Sequence, residues 1–121
     1  MPQYMLLIYE DGATGPAPDS PEAMAEFGEY NTFTEDIRSN GQFVSGAPLQ
    51  TSDTATTVRV KGNGGDPVLS DGPFAETKEW LAGYYMLECP DLDAAIAQAA
   101  RIPAARHGAI EVRPVMELPE M

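Results

Sequence analysis

Two stretches of the chain are apolar on both alternating faces. Residues 3–9 (QYMLLIY) place Tyr4, Leu6 and Ile8 on one side and Met5, Leu7 and Tyr9 on the other. Residues 80–89 (WLAGYYMLEC) behave in the same way and are closed by Pro90. A strand with one wet face alternates apolar and polar side chains, so these two strands are expected to be covered on both sides. Residues 42–49 (QFVSGAPL) read as a further strand, with Gly46 and Pro48 marking a bend or an edge. Residues 54–61 (TATTVRVK) set Thr56, Val58 and Val60 against Thr57, Arg59 and Lys61. The turn Gly62-Asn63-Gly64-Gly65 returns this strand as a hairpin through Val68, Leu69 and Ser70. A last strand is expected over residues 110–116 (IEVRPVM), with Ile110 and Val112 inward and Pro114 at an edge.

Two helices interrupt the strands. Residues 10–18 (EDGATGPAP) read as a loop. Asp19-Ser20-Pro21-Glu22 then supplies a cap and a first-turn proline. Met24, Phe27, Tyr30, Phe33 and Ile37 follow at helical spacing, while Glu22, Glu26, Glu29 and Glu35 read as a solvated face. Asn40-Gly41 ends this helix. Asp91 caps a second helix running through Ile102, with Leu92, Ala95, Ile96 and Ala99 on one side and Pro103 as its stop.

This order predicts one α+β domain of the ferredoxin-like βαββαβ type with an added hairpin. Two helices would cover one face of an antiparallel sheet. The other face is apolar as well, so a second copy of the chain is the expected cover, giving a homodimer.

Charge narrows the partners. The chain carries a net charge of −12. Such a field repels phosphate backbones and anionic membrane surfaces, so no nucleic acid and no membrane partner is expected. There is no run of about 18 apolar residues and no signal-peptide pattern at Met1-Pro2-Gln3-Tyr4, which points to the cytoplasm. Cys89 is the only cysteine and reads as a small buried hydrophobe.

Residues 70–103 (SDGPFAETKEWLAGYYMLECPDLDAAIAQAARIP) strongly resemble the YCII-related family in its DGPF branch. Residues 108–115 (GAIEVRPV) look like that family's C-terminal strand, and the opening YMLLIYED is similar to its first strand. The resemblance implies a dimeric α+β barrel built from two ferredoxin-like sheets. It also implies a regulatory setting, because proteins of this branch are often encoded beside extracytoplasmic-function sigma factors. Some members place a histidine of the N-terminal half against an aspartate in a pocket. Residues 19–41 contain no histidine here, so that arrangement has no matching position.

The candidate chemistry gathers around the DGPF segment. Asp71 either bonds backbone amides in the Asp71-Gly72-Pro73 turn or offers a carboxylate at a cleft mouth, where Pro73 pushes Gly72 toward extended backbone. Glu76, Lys78 and Glu79 form a hydrated ion-pair cluster, or Lys78 and Glu79 rim a polar ligand site. Trp80, Tyr84 and Tyr85 could supply flat apolar walls. His107 is the only histidine and titrates ordinarily near neutrality. As a general base it would need an orienting carboxylate, for which Asp71 and Glu79 are the candidates. Arg113 could hold an anionic group or pair across strands.

The catalytic set is therefore Asp71, Glu79 and His107, and the ligand-binding set is Lys78, Trp80, Tyr85 and Arg113. No metal is expected, because one histidine and no ligand-spaced motif argue against zinc. No cofactor is expected either: the glycine turn lacks the Gly-Lys-Ser/Thr of a phosphate loop, and no dinucleotide fingerprint occurs. The leading function is a homodimer that binds a small organic ligand near the DGPF turn. The alternatives are a cofactor-free acid–base enzyme of isomerase, lyase or hydrolase type, and a dimer that recruits a protein through its acidic helix.

Overall fold

The structure is a computed structural model that describes residues 1–12, 15–75 and 77–119. Glu76 and part of the expected loop at residues 10–18 lie outside the described residues. The elements are β1 (Gln3–Asp11), α1 (Pro21–Ser39), β2 (Phe43–Pro48), β3 (Thr56–Val60), β4 (Pro67–Asp71), β5 (Glu79–Glu88), α2 (Leu92–Ala99) and β6 (Ala109–Pro114). Short 3₁₀ turns occupy Ser52–Thr54 and Pro103–Arg106. Four strands form one sheet in the order β2-β5-β1-β6, and every neighbouring pair is antiparallel. This is the ferredoxin-like arrangement. The β3–β4 hairpin forms a separate two-stranded sheet, as the added hairpin required.

Local chemistry sets the helix ends. The Ser20 hydroxyl accepts a bond from the Ala23 amide at 3.1 Å, and Pro21, which has no backbone N–H to leave unpaired, opens α1. The Asp91 carboxylate accepts from the Ala94 amide at 2.8 Å and starts α2. The regular part of α2 ends at Ala99, three residues before the predicted limit. The buried Pro103 then begins a 3₁₀ turn.

The core lies between the helices and one face of the sheet. Leu6 of β1, Phe33 and Ile37 of α1, Leu87 of β5 and Ile102 beyond α2 are the largest apolar side chains buried there. Cross-strand partners Tyr4 with Leu87 and Leu6 with Tyr85 continue that layer. Each fully buried aliphatic side chain contributes about 1.5–3 kcal/mol relative to exposure. Cys89 is buried at the end of this layer, where burial and then the Asp91 charge raise the thiol pKa. It is a packing residue, as its isolation in the sequence indicated.

The opposite face carries Met5, Leu7 and Tyr9 of β1, opposite Met86, Tyr84 and Leu81 of β5. Among the described residues no helix covers these side chains, because both helices pack on the Leu6 face.

The helix stripe differs from its sequence reading. Met24 and Phe27 are 70% and 65% exposed, whereas Glu26, Phe33 and Ile37 are buried. The inward positions are therefore 26, 30, 33 and 37, a spacing that fits one face of a helix as well as the predicted one. The N-terminal half of α1 faces polar groups, and its C-terminal half faces the sheet core. β1 also runs two residues beyond its apolar stretch, because Glu10 and Asp11 stay paired with Trp80 and Glu79.

Candidate functional site

His107 lies just beyond the 3₁₀ turn, next to Gly108 at the entry to β6. A Cβ on Gly108 would fall 2.0 Å from the Tyr9 carbonyl and 3.1 Å from the Cα of Glu10. Only glycine lets this corner of the chain lie directly on β1. The His107 ring is thereby carried under the end of β1, against the first turns of α1. Its Nε2 donates to both carboxylate oxygens of Glu26, at 3.0 and 3.1 Å. Both side chains are only 12% exposed. One turn further on, Arg106 grips the Glu29 carboxylate with two parallel bonds of 2.7 and 2.9 Å. This pair is at the surface, and its bonds hold the Glu29 carboxyl below the ordinary range.

Glu10 and Tyr30 belong to the same cluster. Burial raises the Glu10 pKa above its ordinary value, the nearby His107 lowers it, and the Glu26 carboxylate raises it. Tyr30 is raised more strongly, first by burial and then by the charges of Glu10 and Glu26. Beside this cluster Lys78 Nζ stands 3.7 Å from the buried Asp11 carboxylate.

Glu10 and Tyr30 also line a cleft of about 460 Å³ between α1 and the β2–β5 side of the sheet. The walls are mostly apolar: Ile8, Phe27, Phe43, Leu49, Trp80 and Tyr85. The non-aromatic polar residues along it are few, namely Glu10, Asn31, Thr34 and Arg38. Tyr85 is held rigidly, with its hydroxyl 2.8 Å from that of Thr34 and its ring edge-on to Phe33 at 5.2 Å between centroids. Size, aromatic walls and a small number of polar groups are what small-molecule sites have in common.

The predicted site residues divide between this cleft and the surface. Trp80 and Tyr85 are cleft walls. His107 stands behind the cleft, and the carboxylate bonded to it is Glu26, which the sequence reading had placed on a solvated face. Asp71 is exposed at the end of β4, paired with Thr56 in the hairpin sheet. Glu79 is exposed at the first residue of β5, opposite Asp11. Lys78 reaches Asp11, and Arg113 is exposed on β6 with its Nε 3.1 Å from Glu111. The DGPF turn does not line the cleft, although the strand that follows it does. Gly72 takes φ of +91° there, not the extended backbone expected before proline. Its amide bonds the Ala55 carbonyl at 2.7 Å and its carbonyl accepts from Thr57 Oγ1 at 2.8 Å, so this turn is anchored to the start of β3. Among the described residues, no group of three or more His, Cys, Asp or Glu is placed to hold a metal ion.

Sequence comparison agrees with this architecture. The profile of the YCII-related domain matches residues 2–119. The chain belongs to the YCII-related family. It is also 32% identical over 114 residues to an uncharacterized protein of Rhizobium meliloti (strain 1021), an alignment spanning 93% of this chain and 90% of that protein. Within this YCII-related fold, Glu10, Glu26, Tyr30 and Arg38 are functional candidates that the sequence reading missed. Glu26 carried one available signal, since it falls four residues before Tyr30 and seven before Phe33 on the buried helical face.

Proposed function

We propose that this YCII-related protein acts as a cytoplasmic homodimer that binds a small organic ligand in the cleft between α1 and the β2–β5 edge. The observation that carries this reading is the cleft itself: about 460 Å³, aromatic in its walls, with a few polar groups along it. The dimer is supported by the apolar face of the four-stranded sheet, where Met5, Leu7 and Tyr9 lie uncovered by either helix. No helix is long and apolar enough to cross a membrane among the described residues. A regulatory role in the setting of an extracytoplasmic-function sigma factor rests on the family resemblance alone.

A second reading, acid–base chemistry without a cofactor, is favoured by one specific observation. Four titratable groups, Glu10, Glu26, Tyr30 and His107, converge at one end of the cleft. Glu10 would be the proton-handling group, since it lines the cleft and burial raises its pKa above the ordinary value. Asp71 and Glu79 are not needed for this version.

A thermal-stabilisation panel of small organic compounds tests the binding reading. A ligand at 100 times its Kd stabilises the folded state by about 2.7 kcal/mol. The stabilisation should vanish in Asn31→Phe, which fills the cleft from an exposed position on α1. Hits that stabilise this variant equally would place binding elsewhere.

A further inference from the structure

The cleft has an electrostatic direction. Glu10 lies at the end where β1 meets Trp80, and Arg38 lies at the other end, in the last turn of α1. From Phe27 to Arg38 the helix advances by about 16 Å, so both ends lie along one groove. The Arg38 guanidinium is seated over the Phe43 ring, 4.2 Å from its centroid. Stacking of this kind orders the side chain and leaves its N–H edge for a partner. Lys78, Arg101, Arg106 and Arg113 are each paired with a carboxylate. Among the described residues Arg38 has no such ion pair, and it is the only basic side chain on the cleft.

These observations specify a ligand class for the proposed cleft, and the inference rests on that reading. We propose that the ligand is a flat apolar monoanion. Its carboxylate or sulfonate head accepts hydrogen bonds from Arg38, and its body lies against Tyr30, Trp80 and Tyr85. The Glu10 end refuses a second negative charge. The charge of the whole chain is −12 and repels anions at long range. A preference for an anion in this protein therefore reports a local contact.

Two fluorescent dyes with the same ring system isolate that contact. 1-Anilinonaphthalene-8-sulfonate carries the anion, and N-phenyl-1-naphthylamine lacks it. Trp80 is the only tryptophan and lines the cleft, so its emission reports dye binding, and the part of the signal lost in Asn31→Phe marks dye bound in the cleft. The expected result is that the sulfonate dye binds the wild-type protein about tenfold more tightly than the neutral dye, or better. Arg38→Gln should bring that ratio to about one while the neutral dye keeps its affinity within about twofold. Arg38→Lys, which keeps the charge without the planar fork, should fall between them. Arg38 is exposed, and the melting temperature of each variant checks its fold. Equal affinity of the two dyes for the wild-type protein, or an anion preference that survives Arg38→Gln, overturns the ligand class and leaves the cleft reading standing. A signal from both dyes that Asn31→Phe leaves unchanged overturns both.

Discussion

His107 Nε2 lies 3.0 and 3.1 Å from the two carboxylate oxygens of Glu26, in a setting where each side chain keeps only 12% of its surface exposed. This contact joins the entry of β6 to the first half of α1, beside the cleft residue Glu10. A buried hydrogen bond involving a charged group is worth about 1.5–3 kcal/mol, and loss of one partner leaves the other unsatisfied. Glu26→Gln and His107→Gln should each lower unfolding stability by about 1–3 kcal/mol. The double variant should lose less than the sum, since both remove one interaction. Denaturant titration of the four proteins measures this, and strictly additive losses would show that the contact contributes nothing.

Glu10 gives a pH signature. Burial raises its carboxyl pKa in the folded protein, against the lowering by His107 and alongside the raising by Glu26. The folded state thus holds this proton more tightly than the unfolded chain. That contribution to stability is fully present below the ordinary carboxylate range and is lost as pH rises through the raised folded value. Glu10→Gln removes it. The variant should therefore gain stability relative to the wild type as pH rises from about 4 upward, and show no such gain at lower pH. Tyr30, His107 and Glu26 face Glu10 in both proteins. A flat difference across that range would remove Glu10 from the buried cluster.

Much of the fold was legible because it follows from local rules. Ser20-Pro21 and Asp91 start their helices through backbone bonds that any short polar side chain at those places would make. The two-sided apolar runs at Leu6 and Leu87 named the central strands. The site was less legible. Glu26 stands among Glu22, Glu29 and Glu35, and periodicity alone does not say which face of a helix meets the sheet. The cleft is assembled from Glu10, the Arg38–Phe43 corner and Trp80, three places far apart in sequence that the fold brings together. The DGPF segment drew attention by its crowding of charges, yet its contribution to the cleft is the strand it leads into.

Gly72 supplies a backbone test. With φ of +91° it occupies a conformation that residues with a Cβ rarely adopt, and both of its peptide groups are bonded to the start of β3. Gly72→Ala should destabilise the protein by about 1–2 kcal/mol, with the hairpin amides losing hydrogen-exchange protection first. An unchanged exchange pattern would mean that the turn relaxes without strain.

The uncovered sheet face predicts an association. Leu7 of β1 projects from it beside Tyr84 of β5. Light scattering should give twice the chain mass for the wild type and the chain mass for Leu7→Lys, because a charge placed in an apolar interface is strongly unfavourable. A monomeric wild type would remove the dimer from the account.

Trp80 emission, followed while the most stabilising compound of the panel is titrated in, tests the central claim most directly. Trp80 is the single tryptophan and forms part of the cleft wall. The account predicts a saturable change in emission whose Kd agrees with that from thermal stabilisation, and its loss in Asn31→Phe. A compound that stabilises the protein while Trp80 emission stays constant would contradict it, because the ligand would then occupy a site other than this cleft.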